Sequence, residues 1–132
     1  MDSALTTWAP NRLVHAYRET RGIGHNPGIR NLREMHFMKL ITAIVRPFKL
    51  DELRQAIAQL GVQGVTVTEV YEASYGPRAK LEIAVDETIV EPVLEALANV
   101  SRTGRSGDGK ILVGNLEQAI RIRTGETGTA AT

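Results

Sequence analysis

From residue 38 onward, short β-branched runs alternate with helical stripes in the order strand, helix, strand, strand, helix, strand. Few architectures accept that order in about 85 residues. The run 39–46 (KLITAIVR) is apolar and β-branched and stops at Pro47. Leu50, Leu53, Ile57 and Leu60 follow at helical spacing, and Gly61 ends that helix. A second strand is expected over 65–71 (VTVTEVY), and Gly76-Pro77 marks a turn. In 78–85, Ala79, Leu81, Ile83 and Val85 share one face and Arg78, Lys80 and Glu82 the other. Thr88 and Glu91 fit a capping box, with Ile89, Val93, Leu97 and Val100 as the stripe of a helix whose first turn tolerates Pro92. Short strands are expected at 111–113 and 119–123. The pattern predicts an α+β class, a ferredoxin-like β-α-β-β-α-β sandwich with one extra short strand.

The first strand is apolar on both sides. Leu40 and Ile44 point one way, and Ile41, Ala43 and Val45 the other. Two helices cover one sheet face, so the second face needs another cover. Either other subunits supply it or residues 1–37 fold over it. Those residues read as an N-terminal extension without a core of its own, with a short helix expected over 12–21. They hold Trp8 and His15, His25 and His36, at spacings that match no metal motif. Residues 38–126 form the predicted domain, and 127–132 a C-terminal tail.

Composition narrows the chemistry. There are no cysteines, which removes disulfides, thiolate metal sites and cysteine nucleophiles. Sixteen Lys and Arg against 15 Asp and Glu give a net charge of +1, unlike a dedicated nucleic-acid binder. The central strands also lack the aromatics of an RNA-reading sheet. No apolar run spans a membrane and no signal core opens the chain, so a cytoplasmic address is expected. Residues 38–132 contain no histidine for a serine–histidine–acid set. Asp51, Glu52, Asp86 and Glu87 sit where helix-dipole capping explains them.

The segment 103–110 (TGRSGDGK) carries the strongest chemical signal. Three glycines let successive N–H groups approach an anion, and Lys110 adds a point charge. Gly104 and Gly109-Lys110 have Walker A spacing, but Ile111 replaces the magnesium-binding Ser/Thr and a strand is expected next. A polar surface turn would look the same. Arg121 and Arg123, two apart in an expected strand, would project together while Ile120 and Ile122 go to the core. Loop and arginine pair together favour a polyphosphate site.

Residues 38–125 resemble the PII signal-transduction family of nitrogen and carbon regulators. The resemblance rests on 38–50 (MKLITAIVRPFKL), 64–70 (GVTVTEV), 103–113 (TGRSGDGKILV) and 120–126 (IRIRTGE). It implies a cytoplasmic homotrimer that binds ATP, ADP or AMP in clefts between subunits and regulates a target transporter or enzyme. Matching positions imply that Gly64 and Thr66 lie at the adenine and Ile44 walls the base. They also imply that Gly107, Asp108, Gly109 and Lys110 approach the phosphates, with Arg121 and Arg123 reaching in from a neighbouring chain. The long target-docking T-loop of that family is cut to Tyr71–Gly76, and its glycine-phenylalanine-glycine entry, magnesium-holding glutamine and modified tyrosine have no counterpart here. That removes most 2-oxoglutarate ligands. Arg78 stands where the family has a lysine and could hold a smaller anion; a relative that senses bicarbonate with ADP or AMP is an alternative. A hydrolase of phosphate esters or acyl phosphates on the same fold is the alternative from another class.

Overall fold

The computed structural model describes residues 37–132; the helix expected over 12–21, the three histidines and the 1–36 part of the extension lie outside the described residues. The sheet is built from β1 (Met38–Val45), β2 (Val65–Glu72), β3 (Gly76–Asp86) and β4 (Gly109–Leu116), in the order β2-β3-β1-β4 with every pairing antiparallel. Helix α1 (Leu50–Ala58) follows β1 through a short 3-10 turn begun by Pro47, and α2 (Val90–Ser101) follows β3. This is the ferredoxin-like α+β sandwich expected from the pattern.

The core forms where the two periodicities meet. Ile41, Ala43 and Val45 of β1 and Ala79, Leu81, Ile83 and Val85 of β3 are buried against Leu53 and Ile57 of α1 and Val93, Leu94 and Leu97 of α2. Several of these are completely buried, each contributing roughly 1.5–3 kcal/mol through apolar area removed from water. The even-numbered residues of the central strands face the other way. Leu40, Thr42 and Ile44 are only partly covered there, and Leu112 is half exposed. The described residues therefore cover one face of the sheet and leave the other open.

Three local expectations change. The cap before α2 is Asp86, not Thr88: its carboxylate accepts from the Thr88 N–H at 2.8 Å and starts a 3-10 turn over Glu87–Ile89, so α2 begins at Val90. The fourth strand is longer than 111–113, because β1 offers β4 a partner along its whole length, from Val45↔Gly109 to Met38↔Leu116. The extra strand over 119–123 does not form. Ile120 makes a single bridge to Thr127, and residues 122–124 turn, closed by Arg121 N–H to the Glu126 carbonyl and Gly125 N–H to the Arg121 carbonyl, both at 2.8 Å. With no adjacent strand among the described residues to extend against, Ile120 is 62% and Ile122 fully exposed, so neither enters the core. Residues 128–131 close the chain as a 3-10 turn, with Gly128 N–H donating to the Ala119 carbonyl at 3.0 Å.

Candidate functional site

The glycine loop is fixed by its own aspartate. Asp108 accepts from the Thr103 N–H at 2.8 Å, the Gly104 N–H at 2.9 Å and the Thr103 hydroxyl. Arg46, just past the end of β1, reaches the same carboxylate at 3.3 Å and donates to the Ser106 carbonyl at 2.8 Å. Burial opposes the charge on Asp108, yet the Thr103 hydroxyl, the Thr103 and Gly104 N–H groups and Arg46 together hold its carboxyl below the ordinary 3.8. Asp108 thus knots the loop into shape. The Arg105 N–H is committed as well, to the Thr103 hydroxyl. That leaves 106–108, ahead of β4, as the stretch whose N–H groups can turn to an anion.

Gly109 is where the loop becomes β4. Its φ is +116°, and a β-carbon there would sit inside the Ile44 carbonyl oxygen, so the site admits glycine alone. This close approach brings Lys110 opposite Ile44, which is opposite Lys80 on its other side. The three side chains share the uncovered sheet face.

The short β2–β3 turn closes over the same loop. Tyr75 N–H donates to the Glu72 carbonyl at 3.2 Å, and the Tyr75 hydroxyl lies 3.2 Å from that of Ser106. Its ring covers the Arg78 guanidinium at 4.8 Å and rests on Gly107, where an added β-carbon would be 2.9 Å from the ring. Arg78 is only 5% exposed. Its Nε meets Glu72 Oε1 at 3.5 Å as an ion pair without hydrogen-bond geometry, and Glu72 Oε2 lies 3.8 Å from Lys110 Nζ.

The expected site residues fall into two groups. Ile44, Gly107, Asp108, Gly109, Lys110 and Arg78 gather at the end of the sheet marked by the Val45↔Gly109 pair. Gly64 precedes β2, and Thr66 is opposite Glu82, toward the other end and on the far edge strand. The segment holding Arg121 and Arg123 leaves β4 at that other end, beyond Leu116↔Met38. There Gly61, Gly64, Asp86, Ala119 and Thr132 line a cleft of about 350 Å3. Eight paired residues of β1 separate the two ends, roughly 23 Å, and β2 and β4 are about 14 Å apart across the sheet. Within one chain the arginine pair does not converge on Lys110. Arg121 instead pairs with Glu126 at 3.7 Å.

Arg46, Glu72 and Tyr75 were not singled out from the sequence. Their roles depend on the β1–β4 register and on how a three-residue turn folds back, which no local pattern encodes. Among the described residues no group of three or more His, Asp or Glu is arranged to hold a metal ion, and no helix is long and apolar enough to cross a membrane.

Comparison with known proteins is consistent along the whole described domain. The family model for nitrogen regulatory protein P-II matches residues 38–126. The P-II proteins of Bradyrhizobium diazoefficiens and Rhizobium meliloti are 43% and 44% identical over 71% of this chain and 99% of their own length. The nitrogen regulatory protein GlnK of Escherichia coli is 38% identical with the same coverage. The alignment to the Bradyrhizobium protein spans 111 positions but takes in 71% of 132 residues, about 94, so about 17 of its positions have no counterpart here. Among solved structures, the B. subtilis GlnK–ATP complex superposes with a TM-score of 0.67 at 33% identity, covering 73% of this chain and 96% of that one. Arabidopsis thaliana PII bound to citrate gives 0.67 at 38%, covering 71% and 88%.

Proposed function

The chain belongs to the nitrogen regulatory protein P-II family, and on that premise we propose that it binds adenine nucleotides between copies of itself and signals their balance to a target protein. The observation that carries this reading is the division of the site. The glycine loop, Lys110 and Ile44 sit at one end of the sheet, and Gly64, Thr66 and the arginine segment at the other. Each group is half of a nucleotide site. A neighbouring copy that presents its second end to this copy's first end completes it, with Gly64 and Thr66 at the base and Arg121 and Arg123 on the phosphates. Three copies arranged head to tail around the uncovered sheet faces satisfy all three sites at once. The solved GlnK relative is a complex with ATP, which supports an adenine nucleotide as the occupant.

The loop chemistry fits that role. A backbone already held by Asp108 and Arg46 offers its N–H groups to phosphate oxygens without the entropy cost of ordering a loop. Lys110 supplies a charge beside it. Arg78 lies beneath Tyr75 and is already paired with Glu72, so it serves to hold the β2–β3 turn on the loop and is not assigned a bicarbonate. The positions missing relative to the Bradyrhizobium protein fall, on this reading, at that turn, and with them go the ligands for 2-oxoglutarate. Binding is expected without turnover: the carboxylates beside the loop are already engaged, Asp108 with Thr103, Gly104 and Arg46, and Glu72 with Arg78 and Lys110.

Isothermal titration with ATP, ADP and AMP, each with and without bicarbonate and 2-oxoglutarate, tests the reading. Saturable nucleotide binding with no phosphate release is expected. Absence of binding by all three, or steady hydrolysis, would contradict it.

A further inference from the structure

We propose that Glu72 determines how much phosphate charge the site accepts, acting as a resident carboxylate that discounts Lys110. The inference rests on the nucleotide reading above and concerns the same site.

Glu72 closes β2 opposite Gly76, separated by a turn of only three residues. That tight return, tied by the Tyr75 N–H, places the side chain on the uncovered sheet face beside Arg78 and Lys110. The two carboxylate oxygens are divided between the two cations: Oε1 toward Arg78 Nε at 3.5 Å, Oε2 toward Lys110 Nζ at 3.8 Å. Two oxygens of one anion bridging a guanidinium and an ammonium is how a phosphate group would also engage this pair.

The two ends of the bridge differ in burial, and that decides what an incoming ligand meets. The Arg78 side chain is 4% exposed, and moving Glu72 away would strand its charge under Tyr75. The Lys110 side chain is 57% exposed. A phosphate therefore approaches Lys110 with Glu72 still in place. Lysine attracts each added negative charge and the adjacent carboxylate repels it at nearly the same distance, so Lys110 adds little to the gain in affinity from monophosphate to triphosphate, which is left to the arginines of the neighbouring copy. Specificity here comes from a repulsive element built into the turn.

The test is a calorimetric series of AMP, ADP and ATP on the full-length chain and on Glu72→Gln, with circular dichroism melts of both. In the wild type the ATP:AMP affinity ratio is expected to be the one that the neighbouring copy's arginines set, since one fixed carboxylate offsets the lysine. Glu72→Gln should tighten ATP about tenfold and AMP by less than about threefold, a difference that grows with phosphate charge. Glu72→Ser, a second uncharged replacement, should raise the ATP:AMP ratio by a similar factor, and an unchanged ratio in it would overturn the proposal where Glu72→Gln fails to fold. Equal ATP:AMP ratios in wild type and folded variant would also overturn it while leaving the nucleotide reading intact. No nucleotide binding in either protein would overturn the nucleotide reading, and this inference with it.

Discussion

The Arg46 guanidinium meets the Asp108 carboxylate at 3.3 Å across 62 residues of sequence, and this contact ties the end of β1 to the glycine loop that leads into β4. It joins the strand that centres the sheet to the segment with most of the site's chemistry. Removing the charge tests how much of the loop's shape depends on it. Asp108→Asn should cost about 1.5–3 kcal/mol, the range for hydrogen bonds to a charged acceptor, read from urea unfolding at pH 7. The sign with pH follows from the depressed carboxyl. Its stabilisation is complete above the ordinary 3.8 of the unfolded chain and is lost as pH falls through the lower folded value. Wild type and Asp108→Asn should therefore converge in stability below about pH 4. A gap that widens on acidification would contradict the assignment.

Gly109→Ala should be the most damaging single methyl in the loop. The added carbon meets the Ile44 carbonyl, which belongs to the central strand and cannot swing aside, and φ of +116° is strained for alanine. A loss of about 2 kcal/mol or more is expected in thermal melts, with nucleotide affinity falling in parallel. A variant as stable as the wild type would mean that β4 can shift away from β1.

The sheet's uncovered face should be the contact between copies. Leu112 is half exposed on it and lies opposite Thr42, one position from the Ile44–Lys110 row on the same side. Leu112→Glu places a charge where an apolar contact is expected. Sedimentation should show a trimer for the wild type and smaller species for the variant. A wild-type monomer at micromolar concentration would remove the shared-site reading.

Most of the fold could be read before any coordinates, and the reason is periodicity. Ala79, Leu81, Ile83 and Val85 alternate with Arg78, Lys80 and Glu82, and a strand with that spacing cannot slip by one residue without turning its apolar face to water. The double-sided apolar character of β1 likewise pointed to an uncovered face, and Leu40 and Ile44 lie on it. Sequence misled at Ile120 and Ile122. Alternation there matches a strand, but alternation says nothing about whether a partner strand exists, and among the described residues none adjoins them beyond the single Ile120–Thr127 bridge. The glycine loop was legible as a phosphate cradle, while its dependence on Arg46 was not, because that contact follows from the β1–β4 register. Glu72 was illegible for a related reason: its bridge between Arg78 and Lys110 requires all four strands to be aligned first.

Lys110→Ala and Arg121→Ala should each weaken nucleotide binding by about 1.5–3 kcal/mol, as for a charged hydrogen bond to phosphate. Their distances from the core make large stability changes unexpected, so circular dichroism melts should stay near the wild type.

Mixing those two variants tests whether each site is shared between copies. A Lys110→Ala copy retains its arginine segment and an Arg121→Ala copy retains its lysine, so where the two adjoin in the right order one intact site is rebuilt. Co-refolded mixtures should recover wild-type nucleotide affinity at a fraction of the sites in calorimetry, while either variant alone does not. No recovery in a mixture shown to contain both chains would contradict a site built between neighbouring copies.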